Sequence, residues 1–277
     1  MKTLFITDLD GTLLDSDGRL SSETSRIISD LTARGALISV ATARTPATVE
    51  PLLEGTLTCP ELVVMTGSAI WNRAEGRFVD IHLLPSAEVP AMLEVFDRQG
   101  LQPFCYVLNR DGHRLDVFHG GSTLSATESG FVDERSHLAL KNFHLSTRCP
   151  EQDYGRVALF FGMGTERDIV SVTDNLRSIS SCYVSHYKDT YSDDLWFLEV
   201  FAPSVSKAAG MLRLKQRLGV DRVVAFGDNL NDIPMLKAAD LGVAVGNALD
   251  PVKEIAGAVI GPNTENSVAR FIKSMFE

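Results

Sequence analysis

The order of apolar runs and helical patterns predicts an α/β protein, a doubly wound parallel-sheet core interrupted by an inserted α+β domain. Three observations carry that expectation. Short apolar runs alternate with helical periodicity through residue 84 and again from residue 201, the rhythm of a parallel sheet covered on both faces. Between those stretches the pattern turns to alternating runs joined by an Asp-Gly turn, which belong to antiparallel hairpins. The interrupting segment, residues 85–200, is too long for a loop and needs a core of its own.

Thr3 to Thr7 reads as a buried strand that stops at Asp8. Ser21 to Arg34 places Ile27, Ile28 and Leu31 on one helical face, and Gly35 stands where a helix C-terminal glycine belongs. Ala36 to Ala41 is a second strand, Thr45-Pro46 a helix start, and Glu61 to Met65 a third strand. Ser86 to Arg98 is helical. Gln102 to Leu108 and His113 to Phe118 flank Asn109-Arg110-Asp111-Gly112 as a hairpin. Arg156 to Phe161 and Trp196 to Phe201 are strands, with a helix near Asp168 to Leu176 between them. From Ser204 the first rhythm returns: helix 204–218, strand 222–226, helix 232–239, strand 241–245, then two helices. The expected organisation is therefore a Rossmann-like core of residues 1–84 and 201–277 with a cap domain at 85–200. Trp71, Phe96, Phe160 and Phe161 are read as core, Gly162-Met163-Gly164 as a turn, and Asp193-Asp194 as a solvated loop.

Composition bounds the function. A chain of 277 residues with 44% hydrophobic residues can bury a sizeable core. Lys and Arg number 26 against 36 Asp and Glu, a net charge of -10 that argues against broad binding to nucleic acid or anionic membrane. No apolar stretch reaches the ~18 residues that span a bilayer, and the run from Met1 meets Asp8 too early for a signal peptide. Four scattered cysteines without a Cys-x-x-Cys pair suggest reduced thiols and a cytoplasmic location. The six histidines show no metal spacing.

In a doubly wound sheet, ligands bind beyond the carboxyl ends of the strands. Those ends carry Asp8-Leu9-Asp10-Gly11-Thr12, Thr42-Ala43-Arg44 and Gly227-Asp228-Asn229-Leu230-Asn231-Asp232, while Ser206-Lys207 starts a helix near the same edge. An EF-hand reading of the first motif fails because the calcium loop's glycine is missing. Singly, the first and last motifs read equally well as a turn or a helix cap, Thr42 as a cap or turn hydroxyl, and Lys207 as a solvated helix lysine. Together and in this order they resemble the haloacid dehalogenase-like phosphohydrolase superfamily. Gly227-Asp-Asn-Leu-Asn-Asp-Ile-Pro-Met235 and Gly242-Val-Ala-Val-Gly-Asn-Ala248 are similar to its Cof-type subgroup, which carries a large α/β cap where this chain has its insertion.

The resemblance implies a phosphatase acting through an aspartyl-phosphate intermediate. Asp8 is then the nucleophile and Asp10 the acid that protonates the leaving oxygen and later serves as base. It also implies Mg²⁺ held by the Asp8 carboxylate, the Asp10 carbonyl and the Asp228 carboxylate. Gly11, Thr42, Lys207 and Asn231 would bind phosphate, with Arg44 and Asp232 in support. Two departures stand out: Ala43 replaces the usual glycine of the second motif, and Ala208 follows Lys207 where glycine is common. If position 43 needed φ > 0, alanine would cost on the order of 1 kcal/mol, so an ordinary φ is expected there. The expected partner is a small phosphorylated metabolite, sugar phosphates first. A sugar phosphomutase and a non-catalytic phosphometabolite-binding regulator are the alternatives. Oligomeric state is not legible.

Overall fold

In the computed structural model, which describes residues 1–179, 182–188 and 194–277, β1 (Thr3–Thr7) is the strand around which the first sheet is built. All but its first residue are buried. The next elements are α1 (Ser22–Ala33), β2 (Leu37–Val40), α2 (Pro46–Leu52), β3 (Glu61–Val64), β4 (Ala69–Asn72) and β5 (Arg77–Ile81). The Ser21 hydroxyl caps α1 by accepting the Thr24 N–H, and Ile27, Ile28 and Leu31 form its buried face. Proline in the first turn of α2 costs no hydrogen bond, because that N–H has no helical acceptor.

The chain then enters a second unit, Ile81–Val205. It contains α3 (Val89–Arg98), β6 (Phe104–Leu108), β7 (Leu115–His119), α4 (Ala126–Asp133), β8 (Lys141–Leu145), β9 (Val157–Gly164), α5 (Glu166–Leu176), β10 (Tyr183–Lys188) and β11 (Trp196–Phe201). The strands lie in the order β10-β11-β9-β6-β7-β8. All neighbours are antiparallel except β7 and β8. One sheet face packs Cys105, Phe160, Leu198 and Val200 against Met92, Phe96, Ile169 and Val172 of α3 and α5. The opposite face is aromatic: Phe104, Phe143 and Phe161 gather around Phe131 of α4.

Two expectations fail here. Gly162-Met163-Gly164 is no turn but the end of β9, and Phe161 is only half-buried on the aromatic face rather than part of the core. The glycines leave room for a neighbour: a Cβ at either would lie 3.0 Å from the Leu101 side chain, closer than an ordinary contact. Asp193 lies outside the described residues, and Asp194 is exposed.

The first unit, Met1–Asp80 with Ser206–Glu277, is completed by α6 (Lys207–Leu218), β12 (Arg222–Gly227), α7 (Ile233–Ala238), β13 (Leu241–Ala244), α8 (Asp250–Ile255), β14 (Ala258–Val259) and α9 (Ser267–Phe276). Its sheet runs β14-β13-β12-β1-β2, with every pair parallel. A parallel bridge from Ala41 to Val63 carries the order on to β3, which pairs antiparallel with β4. The division between the units falls at Asp80/Ile81 and Val205/Ser206, against 84/85 and 200/201 expected from sequence. Because β1, β2 and β12 are parallel, the residues after them emerge at one sheet edge. Asp8 and Asp228 come directly after their strands, and Thr42 follows the bridging Ala41.

Candidate active site

The residue after β1 stays tied to the sheet, since the Asp8 N–H donates to the Phe226 carbonyl at 3.0 Å. Beyond it the backbone turns sharply through Gly11, which has φ +75°. A side chain there would be strained and would also collide, its Cβ 2.5 Å from Asp228 Oδ2. Glycine thus lets the first motif lie against the carboxylate of the last. Thr12 completes the junction by donating its hydroxyl to Asp228 Oδ1 at 2.7 Å.

From α6 comes Lys207, 1% exposed, with its Nζ 2.7 Å from both Asp8 Oδ1 and Asp232 Oδ1. The Ser206 hydroxyl caps this helix on the Ala209 N–H, which fixes where the lysine starts. Asp232, fully buried, accepts the N–H groups of Asp228 and Asn229 through its other oxygen. Asp8, Asp228 and Asp232 each offer an oxygen within 4.8 Å of the others, the one such acidic group among the described residues.

Two buried carboxylates therefore share one ammonium, with the partly buried Asp228 beside them. Desolvation raises the Asp8 carboxyl to about 8, although Lys207 pulls the other way, and the Asp232 and Asp228 charges add to the rise. Burial also lifts Asp228 to about 6, against the bond from Thr12. Burial disfavours the Lys207 ammonium, but Asp8 and Asp232 together outweigh it and hold the proton on. An all-oxygen donor set with surplus negative charge fits a hard divalent cation. It does not fit a soft metal.

Asp10 stands apart from this cluster. Its carboxylate, about half exposed, pairs with Arg44 through two bonds, Nε at 2.7 Å and Nη2 at 2.6 Å. That pairing strengthens the hold of the Arg44 guanidinium on its proton. Thr42 is buried and its hydroxyl accepts the Arg44 N–H at 3.1 Å, so it shapes the turn that presents the arginine. Ala43 needs no left-handed backbone: it is absent from the non-glycine residues of positive φ. Asn231 is exposed in the short turn before α7. Thus Asp8, Lys207 and Asp232 form one buried cluster, with the partly buried Asp228 at its edge against Gly11. Asp10 and Arg44 form a separate pair, and Thr42 and Asn231 sit outside the cluster's hydrogen bonds. Thr12 was missed as a site residue, though it stands inside the Asp-x-Asp-Gly-Thr motif.

This arrangement can be set beside known proteins. A uracil-derivative phosphatase of Bacillus subtilis, 5-amino-6-(5-phospho-D-ribitylamino)uracil phosphatase YcsE, is 28% identical over 98% of this chain and 94% of its own. A second Bacillus subtilis phosphatase of the same name, YitU, is 25% identical over 99% and 97%. Among solved structures, a haloacid dehalogenase-like hydrolase from Bacteroides thetaiotaomicron superposes with a TM-score of 0.79 at 24% identity, covering 99% of this chain and all of that one. The family profile described as haloacid dehalogenase-like hydrolase matches residues 5–272, nearly the whole length. With the parallel sheet and the acidic edge already in place, that match establishes that the chain belongs to the haloacid dehalogenase-like hydrolases.

Proposed function

We propose that this phosphoric monoester hydrolase is a Mg²⁺-dependent phosphatase of small phosphorylated metabolites, sugar and sugar-alcohol phosphates first, with Asp8 as its nucleophile. The observation that carries the reading is the buried cluster: Asp8 and Asp232 on one Lys207 ammonium at 2.7 Å, with Asp228 beside them. Its first unit is the catalytic core, and the second is the domain that sets substrate preference. The named relatives act on a phosphorylated ribityl compound, a polyol phosphate, which supports that substrate class.

Asp8 and Asp228, with the Asp10 carbonyl, are the residues that would hold the cation. A bound divalent cation supplies the positive charge that keeps Asp8 ionised at neutral pH and neutralises phosphoryl oxygens. Lys207 orients Asp8 and presents its ammonium to the phosphoryl group. Asp232 fixes Lys207. Asp8 Oδ attacks phosphorus as the bond to the leaving oxygen breaks, and an aspartyl phosphate forms. Asp10, once released from Arg44 and protonated from solvent, gives that proton to the leaving oxygen, then takes one from the water that attacks the intermediate, and inorganic phosphate departs. To do so, Asp10 exchanges its Arg44 partner for the leaving oxygen.

The test is a phosphate-release screen over sugar, sugar-alcohol and ribityl-uracil phosphates with Mg²⁺, run beside Asp8→Asn. The expected result is turnover of at least one polyol phosphate and none by the variant. Turnover by Asp8→Asn within tenfold of wild type would remove Asp8 as nucleophile. Isomerised ester without phosphate release would establish a mutase instead, and tight binding without turnover a regulator.

A further inference from the structure

We infer that Asn247 is a positioning residue for the first motif and, through it, for the Asp228 carboxylate. The inference rests on the functional reading above and extends it to a side chain that the chemistry does not otherwise use. Asn247 lies in the segment after β13, and its exposed side chain spends both ends on backbone. Nδ2 donates to the Gly11 carbonyl at 2.7 Å, a partner 236 positions away, and Oδ1 accepts the Asn263 N–H at 2.9 Å. Asn263 in turn donates its own Nδ2 to the Leu14 carbonyl at 2.8 Å. Two asparagines thus tie the turn after Asp8 at two points, Gly11 and Leu14.

Geometry makes the first of those points consequential. A peptide unit is planar, so fixing the direction of the Gly11 carbonyl fixes the Gly11–Thr12 plane and the start of Thr12. Thr12 is the residue whose hydroxyl holds Asp228 Oδ1 at 2.7 Å. Gly11 itself, in a left-handed conformation, has its open side filled by the Asp228 carboxylate. The same carboxylate's residue is tied to the Asn247 segment from behind, where the Leu249 N–H donates to the Asp228 carbonyl at 3.0 Å. Loss of the Asn247 brace lets the Gly11–Thr12 plane rotate, and Asp228 loses a fixed hydroxyl partner. A glycine with positive φ resists such rotation less than any other residue, so an outside tether is needed where the turn must be held to a fraction of an ångström.

The experiment compares wild type with Asn247→Ala, Asn247→Asp and Thr12→Val. Mg²⁺ affinity is measured by calorimetry on the whole chain, and turnover of p-nitrophenyl phosphate is measured against Mg²⁺ concentration. Asn247→Asp keeps the acceptor for Asn263 but sets a carboxylate against the Gly11 carbonyl, so it should be the worse of the two. The expected result is Mg²⁺ affinity weakened about fivefold in Asn247→Ala and at least tenfold in Asn247→Asp. Substrate KM at saturating Mg²⁺ should change less than twofold, and melting without metal by no more than a degree or two. Combining Asn247→Ala with Thr12→Val should weaken Mg²⁺ binding little beyond Thr12→Val alone, because both act through one route. Wild-type Mg²⁺ affinity in both Asn247 variants, or full additivity with Thr12→Val, overturns the inference. A wild-type chain that binds no Mg²⁺ overturns the metal reading as well. Binding without turnover overturns only the phosphatase reading, since the calorimetry still reports on Asn247.

Discussion

Replacing Asp8, the proposed nucleophile, should stabilise the metal-free protein while destroying its activity. Asp8 has its carboxyl raised from 3.8 to about 8 because it is buried beside Asp232 and Asp228. Between about pH 4 and 8 the folded state therefore keeps a proton that the unfolded chain has lost. Stability depends on pH through the difference in bound protons, unfolded minus folded, so it falls as pH rises across that window and levels off above it. Asp228, raised to about 6, adds to the fall between about pH 4 and 6. At about 1.36 kcal/mol per unit, the Asp8 shift sets a ceiling of roughly 6 kcal/mol, and local relaxation reduces it to about half. For a domain of this size each kcal/mol moves the melting midpoint by about 2–4 °C. Asp8→Asn keeps the shape and an acceptor for Lys207 but cannot ionise. Without metal at pH 8 it should melt about 6–12 °C above wild type, with the gap closing toward pH 4. Added Mg²⁺ should raise the wild-type midpoint more at pH 8 than at pH 5, and leave the variant's nearly unmoved. Differential scanning calorimetry over pH 4–9, with EDTA or Mg²⁺, checks all three. A variant less stable than wild type at pH 8, with an unchanged pH slope, would refute the claim that Asp8 is held against its own charge.

Other perturbations probe separate parts of the molecule. Gly11→Ala forces a Cβ to 2.5 Å from Asp228 Oδ2 at φ +75°, and kcat should fall at least a hundredfold, measured by phosphate release. Lys207→Met leaves Asp8 and Asp232 buried without their shared ammonium, a loss of about 3–5 kcal/mol for a broken buried pair that acidification should partly repair in urea titrations. In the second unit, Lys141 is buried under the rings of Tyr106, Phe131 and Phe143, and burial brings its amine down to about 7. Its folded value lies below its unfolded one, so wild-type stability rises from about pH 7 to 10. Lys141→Met should then raise the midpoint most at or below pH 7, and equal gains at pH 6 and 10 would contradict this reading.

The sheet edge was legible because each site strand ends where its motif begins. Asp8 follows β1, and Gly227 closes β12 just before Asp228. A strand is an apolar run, and the first polar residue after it marks the edge. What the motif could not show is direction. Asp8 and Asp10 are two residues apart, yet one is buried on Lys207 and the other reaches outward to Arg44, because the turn at Gly11 sends the chain around Asp228. The partner that decides the outcome for Asp10 is 34 positions away. The second unit was less readable for the same reason. Its strand order pairs β6 with β9 and sets β8 parallel to β7, long-range choices that no turn signal announces. Gly162 and Gly164 carry the signature of a turn and are instead strand residues making room for Leu101. Lys141 gave no signal because an ammonium shielded by three rings looks, in sequence, like any lysine on a strand.

Hydrogen-bond accounting separates the three clustered carboxylates into two kinds. Asp232 is fully engaged: Lys207 on one oxygen and two backbone N–H groups on the other. It has little left to offer an incoming ion, so its place is to hold Lys207 and the turn before α7. Asp8 has one strong partner, Lys207, and Asp228 has one, the Thr12 hydroxyl. A buried carboxylate such as Asp8 ordinarily collects more bonds than that, since each oxygen can accept two, while Asp228 is partly exposed. The unused acceptor capacity of the cluster is therefore concentrated on Asp8 and Asp228, the two groups whose protons burial also holds on. A fold selected only for stability would have filled those positions with satisfied or apolar groups. The departure from that rule falls on the pair proposed to bind cation and phosphoryl group, and spares the neighbour proposed to support them.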